Sequence, residues 1–351
     1  MDSFLAPDLS HPVPGGKALR RRGLAACALF LFTGMAAAQG VGWPAKVPAG
    51  TRLVLGDQNE LLQTLFSVSG VGKGLVTQVQ YANFIGGPAI LEAFRAGALD
   101  VAVVGNTPPI QAHAAGEEVR VIAARRRASP SYQLAGRPGL PFQSLKDLRG
   151  KRIAYAEGTA AQPFVLAALQ AAGLKGGDVK LVPLRLGEFS TALRTGQVDV
   201  APLSDLLTSR YLRDFAAEKA QVLPPSENTF QPTGVSYLYA SKKALADPAR
   251  QAALSEVVQA WTTALDWAQQ NRTAWAQAYY VKKQGLSESD ALTVVQNEGA
   301  VSFPLLREVL PQQQATIDLI HAAGGLPHRL DAREEFDFRF DAVVAAARPK
   351  K

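Results

Sequence analysis

Cysteine and histidine are scarce in this sequence of 351 residues, which holds one Cys and four His. A disulfide framework is therefore excluded, and a zinc site built from cysteines is nearly excluded. Charged residues are also few, at 19% of the chain, whereas hydrophobic residues make up 47%. This composition is typical of globular domains and excludes a disordered, collagen-like or coiled-coil chain. The length predicts about two domains.

The first forty residues follow the pattern of a secretory signal. Lys17 and three arginines ending at Arg22 precede an uncharged run, 23–38, that closes on three alanines. A basic segment, an apolar segment and a small-residue cleavage site are the three parts of such a signal. The apolar run is shorter than the roughly 20 residues that span a bilayer. We predict a signal peptide over residues 1–38, cut after Ala38 on either the general or the twin-arginine route, with an uncleaved anchor as the alternative.

The predicted mature chain has a net charge of +5, because residues 1–38 hold four basic and two acidic side chains. It holds no cysteine, since Cys27 lies in the signal. This suits an oxidising compartment and excludes a cysteine nucleophile. The basic cluster Arg125-Arg126-Arg127 has no aromatic residues interleaved with it. We interpret it as a solvated turn rather than as a patch for nucleic acid or another anion.

Short apolar runs alternate with loop and helix signals in two stretches of the chain. The predicted strands are 51–55, 76–84, 101–104, 119–124, 151–155, 179–184 and 198–202. Strand, loop, helix and strand at this spacing indicate βαβ units and parallel sheets. Most of the chain after residue 241 has helical patterning.

Two extended crossings, near 129–136 and 234–241, separate these stretches. We therefore predict an α/β fold with two lobes joined by a two-stranded hinge. Lobe 1 comprises residues 39–130 and 241–351, and lobe 2 comprises residues 131–240. Ligands of open α/β sheets bind outside the carboxyl ends of the strands, which in two lobes face each other across a cleft.

Glycines and neutral hydrogen-bond donors follow the predicted strands. They are Gln58, Gly86, Gly87, Asn106, Thr107, Gly158 and Thr159. Thr159 also fits a capping box with Gln162, and helix N-termini at such loops favour anions. Capping and turn chemistry explain each motif alone. Their shared position predicts a cleft suited to an oxyanion such as a sulfonate or nitrate.

Signals of an enzyme are mostly absent from the sequence. It holds no nucleophile elbow, phosphate-binding loop or dinucleotide fingerprint. His113, His321 and His328 remain after the predicted cleavage, and none has metal-ligand spacing to another. We interpret Asp205 and Glu188, at strand ends, as hinge, capping or ligand-amine contacts rather than as an acid–base pair. We predict no catalytic residue, no metal and no cofactor.

Four segments carry a family resemblance. They are GGPAILEAFRAGALDVAVVGNTPPIQAHAAG (86–116), SLKDLRGKRIAYAEGTAAQPFVLAALQAAGL (144–174), LRTGQVDVAPLSD (193–205) and QQQATIDLIHAAGGLPHRLDAREEF (312–336). These segments resemble the substrate-binding proteins of ABC importers for aliphatic sulfonates, within the wider sulfonate, nitrate and taurine group. The resemblance covers essentially the whole predicted mature chain.

The resemblance implies a type II periplasmic-binding-protein fold that closes around a small anion. It implies a periplasmic monomer of sulfur metabolism, with no nucleic-acid partner, that delivers an organosulfonate to an ABC permease at the inner membrane. Carried over by position, the ligand-binding residues are Gln58, Gly86, Gly87, Asn106, Thr107, Gly158, Thr159 and Asp205.

One departure from the family leaves the ligand open. Many relatives carry a Trp-Asp-Pro-like sequence where this chain has PLSDL at residues 202–206, so the wall near the ligand's organic tail is predicted to be smaller or more polar. The alternatives are nitrate, taurine or a pyrimidine precursor of thiamine, the last flanked by Tyr81, Phe84 and Tyr132. A desulfinase-like enzyme is a further alternative, which the missing cysteine nucleophile disfavours.

Overall fold

The structure is a computed structural model that describes residues 46–230 and 234–349; the predicted signal peptide, residues 1–38, lies outside them. The described residues form two β-sheets surrounded by helices. The strands are β1 (Arg52–Gln58), β2 (Gln78–Phe84), β3 (Val101–Gly105), β4 (Val119–Arg127), β5 (Tyr132–Gly136), β6 (Arg152–Tyr155), β7 (Lys180–Pro183), β8 (Val200–Ser204), β9 (Gln221–Val222), β10 (Gly234–Ser241) and β11 (Val301–Ser302).

Helices follow most strands and dominate the C-terminal third. They are α1 (Leu61–Val68), α2 (Gly87–Arg95), α3 (Thr107–Ala114), α4 (Ala161–Ala171), α5 (Phe189–Arg194), α6 (Asp205–Asp214), α7 (Lys242–Ala246), α8 (Pro248–Gln270), α9 (Arg272–Trp275), α10 (Glu288–Asn297), α11 (Leu306–Ala322) and α12 (Asp341–Ala347). A π-helical turn, Ala276–Val281, continues α9. Within the described ranges, none of the helices has both the length and the apolar character needed to cross a membrane.

The first sheet has the strand order β11-β4-β10-β3-β1-β2, and the second has the order β7-β6-β8-β5-β9. In the first sheet β1, β2 and β3 are parallel, and β10 is antiparallel to both β3 and β4, so β4 runs in the direction of β3. In the second, β6, β7 and β8 are parallel, and β5 runs against β8. The predicted βαβ organisation is confirmed in both sheets.

The division of the chain between the sheets is set at β4 and β10. All of β10 pairs within the first sheet, whereas β5 pairs within the second. Any crossing between the sheets therefore follows Arg127 and precedes Gly234. The assignment of two lobes that move about a hinge stays a prediction.

Apolar periodicity explains how the helices cover the sheets. In α8, Val257, Trp261 and Leu265 recur at helical spacing and are almost fully buried in the core of the first sheet. Burying each such side chain contributes about 1.5–3 kcal/mol. The short run Val101–Val104 is largely buried because helices cover both faces of this part of the sheet.

The carboxyl ends of the parallel strands in the two sheets meet each other. Gly105 ends β3, and a Cβ built on it would lie 2.8 Å from the Cβ of Ala160, which precedes α4 of the second sheet. Arg127 ends β4, and its Nη2 lies 2.6 Å from Oδ2 of Asp205, the first residue of α6. Helix α11 also packs against α4. These contacts describe a closed arrangement of the two sheets around their carboxyl edges.

Candidate ligand-binding cleft

Gln58 ends β1 and is held by the neighbouring strand. Its Nε2 donates to the carbonyl oxygen of Val103 at 2.9 Å, and its backbone N–H donates to Asp57 Oδ1 at 2.7 Å. Asp57 also accepts two backbone N–H groups at the start of α1, while burial raises the pKa of its carboxyl group. The turn that follows has two residues in the left-handed region, Asn59 at φ 54° and Glu60 at φ 56°. Hydrogen bonds to the Asn59 carbonyl from the helical region around Tyr279 offset the cost of this strained turn.

Gly86 and Gly87 lie where α2 begins beside α3. Gly86 has a φ of 87°, a conformation that favours glycine. A Cβ on Gly87 would lie 2.3 Å from Cγ of Pro108, in the first turn of α3. Glycine at these positions therefore lets the N-termini of two helices approach the same point.

Asn106 and Thr107 are buried at the start of α3. The side-chain amide of Asn106 donates to Thr316 Oγ1 at 3.3 Å, and its backbone carbonyl accepts from Gln313 Nε2 at 2.9 Å. Gln313 also donates to Glu335 Oε2 at 2.6 Å and accepts the hydroxyl of Tyr237 at 3.0 Å. The loop after β3 is thus fixed by helix α11 from a distant part of the chain.

Gly158 and Thr159 form the facing loop of the second sheet. A Cβ on Gly158, which has a φ of 72°, would touch Pro88 and Gln111 of the first sheet's helices at 3.7 Å. Thr159 Oγ1 donates to the carbonyl of Ala156 at 2.7 Å, and Gln162 Oε1 accepts the Gly158 N–H at 3.0 Å. Thr159 and Gln162 therefore both bind the turn before α4, although the N-cap residue of α4 is Ala160 rather than the predicted Thr159.

The interpretation of Arg125-Arg126-Arg127 as a solvated turn is wrong. All three lie in β4, and the first and third point to one face of the strand. Arg125 Nη2 lies 3.0 Å from Glu298 Oε2, and Arg127 pairs with Asp205. Burial raises the pKa of the Asp205 carboxyl, and the charge of Arg127 opposes that rise. The structure places the carboxylate of Asp205 on a guanidinium of the opposite sheet.

The other strand-end acid acts as a local cap. Glu188 Oε2 accepts the backbone N–H of Arg185 at 2.8 Å.

Among the aromatic residues considered for a heterocycle, Tyr132 packs its ring on Phe164, with the ring centroids 5.7 Å apart, in the core of the second sheet. Burial raises the pKa of Tyr132 to about 12.

An outer groove of about 520 Å³ joins the two sheets beside the glycine loops. Gly87, Pro88 and Gln111 line it from the first sheet, and Glu157 and Gly158 line it from the second. Its volume lies in the range of small-molecule sites. The Nε2 of Gln111 is buried and finds no hydrogen-bond partner in the described part of the chain. The groove thus adds a polar donor that the sequence did not single out.

Metal ligands do not cluster in the described residues: no group of three His, Cys, Asp or Glu there could hold an ion. His113 instead lies 3.2 Å from Glu334 Oε2, and hydrogen bonding to Glu335 raises the pKa of its imidazole.

Three residues that support the site were missed by sequence reasoning: Gln313, Thr316 and Gln111. The first two lie in the C-terminal segment that carried the family resemblance, which was their one signal. Gln111 lies in the first such segment, three residues beyond Pro108.

Comparison with known proteins gives a family and a fold. A family model described as NMT1/THI5 like matches residues 79–274. A protein of Escherichia coli (strain K12), provisionally described as an aliphatic sulfonates-binding protein, is 25% identical over 283 residues, which are 80% of this chain and 84% of that protein. The alkanesulfonate-binding protein SsuA of Xanthomonas axonopodis pv. citri, solved with bound MOPS, superposes with a TM-score of 0.72 at 22% identity, covering 83% of this chain and 99% of that one.

An enzyme shares the fold at a lower similarity. The desulfurization enzyme DSZB superposes with a TM-score of 0.58 at 14% identity, covering 84% of this chain and 99% of its own. The predicted α/β periplasmic-binding-protein fold and the resemblance to aliphatic sulfonate-binding proteins are confirmed by these comparisons.

Proposed function

This chain belongs to the NMT1/THI5-like family, and we propose that it is the periplasmic substrate-binding component of an ABC importer for a small organosulfonate. The observation that carries the proposal is the meeting of the two carboxyl edges at Gly105 and Ala160. Sulfonate-binding relatives support the choice of ligand. The protein acts as a monomer, after removal of residues 1–38, and delivers the ligand to a permease at the inner membrane.

The ligand's anionic group binds where the strand-end loops converge. Gln58 and Asn106 supply side-chain amide groups, Thr107 supplies its backbone N–H group, and Thr159 orders the facing turn through its bond to the Ala156 carbonyl. The prolines in the first turns of α2, α3 and α4 have no N–H group to add. Helix N-termini favour negative charge, and a hydrogen bond to a charged oxygen is worth about 1.5–3 kcal/mol. A sulfonate suits such donors because it stays ionised and offers three acceptor oxygens.

The organic part of the ligand extends into the outer groove. Gly87 and Gly158 line it from the two sheets, and Pro88 and Leu91 provide apolar walls. The groove is open and partly polar. This arrangement favours a compact or polar tail over a long alkyl chain.

Bond chemistry is no part of the proposal. The nearest alternative in another class is a desulfinase-like enzyme, favoured by the shared fold of DSZB. Its cysteine nucleophile has no counterpart after residue 38, because Cys27 is the one cysteine of the sequence. Binding and lobe closure are therefore the proposed activity.

A thermal-shift screen of residues 39–351 tests the proposal. The panel holds alkanesulfonates, taurine, aromatic sulfonates, sulfate esters, nitrate and thiamine precursors. A ligand at 100 times its dissociation constant stabilises the fold by about 2.7 kcal/mol. We expect a shift with a sulfonate that Asn106→Ala and Thr159→Val diminish. Thr195→Val is the matched control, because the hydroxyl of Thr195 bonds carbonyls of its own helix end.

Other outcomes contradict the proposal in different ways. A shift with a pyrimidine alone retains the binding role and replaces the ligand. Release of sulfite from a sulfinate by the purified protein makes it an enzyme. If no sulfonate, nitrate or sulfate ester gives a shift, the proposal that the ligand is an anion is wrong.

A further inference from the structure

A buried ion pair joins the two sheets at one end of the cleft. Arg127 and Asp205 lie 2.6 Å apart, and their side chains are only 12% and 10% exposed. The pair of Arg149 and Asp178, which lies within the second sheet's half, is far more exposed, at 63% and 28%. Moving a charge out of water costs several kcal/mol unless a partner compensates it. Each of the two buried charges therefore requires the other when the sheets are in contact.

The chain makes room for Arg127 to reach across. Gly234 is its register partner in β10, and a Cβ there would lie 2.9 Å from Cγ of Arg127 and 2.2 Å from Oγ of Ser131. Ser129 Oγ and the carbonyl of Asn297 lie 3.3 and 3.4 Å from the same Nη2. These groups orient the guanidinium toward α6.

The two charges nearest the pair, Glu298 and Arg125, are bonded to each other. Glu298, which directly follows α10, is bonded to Arg125 at 3.0 Å and accepts the hydroxyl of Tyr280 at 3.2 Å. Further along α6, Arg210 donates to the carbonyl of Gln284. One face of α6 thus lies on the first sheet's half, with the buried pair at its N-terminal end.

We propose that Arg127 and Asp205 form a latch between the lobes, in which Asp205 is a positioning residue that acts through Arg127 and does not touch the ligand. The pair lies beside the crossings that follow Arg127 and precede Gly234, and opening of the cleft tilts α6 away from the end of β4 there, so both groups become hydrated. Closing pairs them again and excludes water from the contact. The latch rests on the two-lobed architecture of the proposed function, but it needs no particular ligand.

The distance between the lobes tests the latch without any ligand. The predicted mature chain has no cysteine, so Lys73→Cys and Lys175→Cys place two spin labels on exposed positions of the two halves. Pulsed electron paramagnetic resonance then gives the distribution of distances. In Asp205→Asn we expect the population at longer distance to rise about tenfold or more, because one buried charge loses its partner. Arg149→Gln, which removes the ion pair with Asp178 inside one half, should leave the distribution unchanged.

A second variant separates a latch from a folding defect or a ligand contact. Arg127→Gln should open the protein as Asp205→Asn does, and the double variant should open it no further, because the two groups act as a pair. Circular dichroism confirms that each variant is folded. A wild-type distribution that is already open, or variants that leave it unchanged, overturns the latch.

Ligand measurements distinguish a failure of the latch from a failure of the proposed function. If Asp205→Asn abolishes the thermal shift with a sulfonate while the ligand-free distances stay as in the wild type, Asp205 is a ligand contact and the latch is overturned. If no sulfonate binds the wild type, the proposal of an organosulfonate ligand is wrong, but the distance measurement still tests whether the latch exists.

Discussion

Alanine at position 105 should hold the cleft open. The added Cβ would lie 2.8 Å from the Cβ of Ala160, a distance that such atoms do not adopt. Overpacking of this kind costs about 1–3 kcal/mol. Because the contact joins the two sheets, the open form is free of this clash. The free energy of ligand binding must therefore offset the whole cost when the cleft closes. We therefore expect the affinity for the anion to fall about 5- to 150-fold.

Calorimetric titration with the sulfonate that gives the largest thermal shift measures this change. A second substitution, Ala160→Gly, removes the opposing Cβ and leaves the Ala160 Cα and N positions at 3.9 and 4.0 Å, which are ordinary contacts. The double variant G105A/A160G should return to within about threefold of the wild type. Gly136→Ala is the matched control, since its Cβ would meet Phe142 at 3.1 Å within the second sheet's core.

Two results would refute this expectation. Unchanged affinity in G105A means that the bound form lacks the contact between Gly105 and Ala160. A double variant as weak as the single one means that the added methyl group acts elsewhere. In either case the ligand-bound arrangement differs from the one described here.

Three other perturbations probe the supports of the cleft. Thr159→Val should lower the free energy of unfolding by about 1–2 kcal/mol in thermal denaturation, with Thr159→Ser close to the wild type, because the hydroxyl holds a loop carbonyl. Gln313→Leu should cost about 3 kcal/mol and speed hydrogen exchange around Asn106, since three buried groups lose a partner; wild-type exchange there would contradict this. Hydrogen bonding to Arg152 lowers the pKa of Asp199 to about 2, so its stabilisation is present above about pH 4 and lost as the pH falls toward 2. Acid denaturation of Asp199→Asn should lack that loss, and an identical acid limb in both proteins would contradict it.

Local patterns predicted the parts of the fold that neighbouring residues decide. The strand over 234–241 has the predicted bounds, because an extended run between polar breaks leaves few alternatives. The loop at Asn106 was found because a buried apolar run, a glycine and two prolines mark a strand end and a helix start. Most of the predicted ligand contacts were singled out in this way.

Long-range partners decide the features that the sequence did not reveal. Arg125 looked solvated because its partner, Glu298, lies 173 residues away. Gln313 looked like a polar helix residue, yet it is fully buried and bonded to the loop at Asn106, 207 residues away. The charge or polarity of a side chain predicts that it needs a partner, but only the folded chain shows which one.

The position of β10 between β3 and β4 also bears on the order in which the two sheets can form. Those two strands follow each other in the chain but do not pair, so the first sheet stays in two pieces until β10 arrives more than 100 residues after β4. The second sheet, by contrast, is complete at Val222. During synthesis from the N-terminus, the second sheet can therefore form before the first is complete. The hydrogen bond from the Gly234 N–H to the Ser129 carbonyl then forms as β10 joins the first sheet. We therefore expect the insertion of this one central strand to be the slow step of folding, and the edges of β3 and β4 to be open to aggregation until it is made.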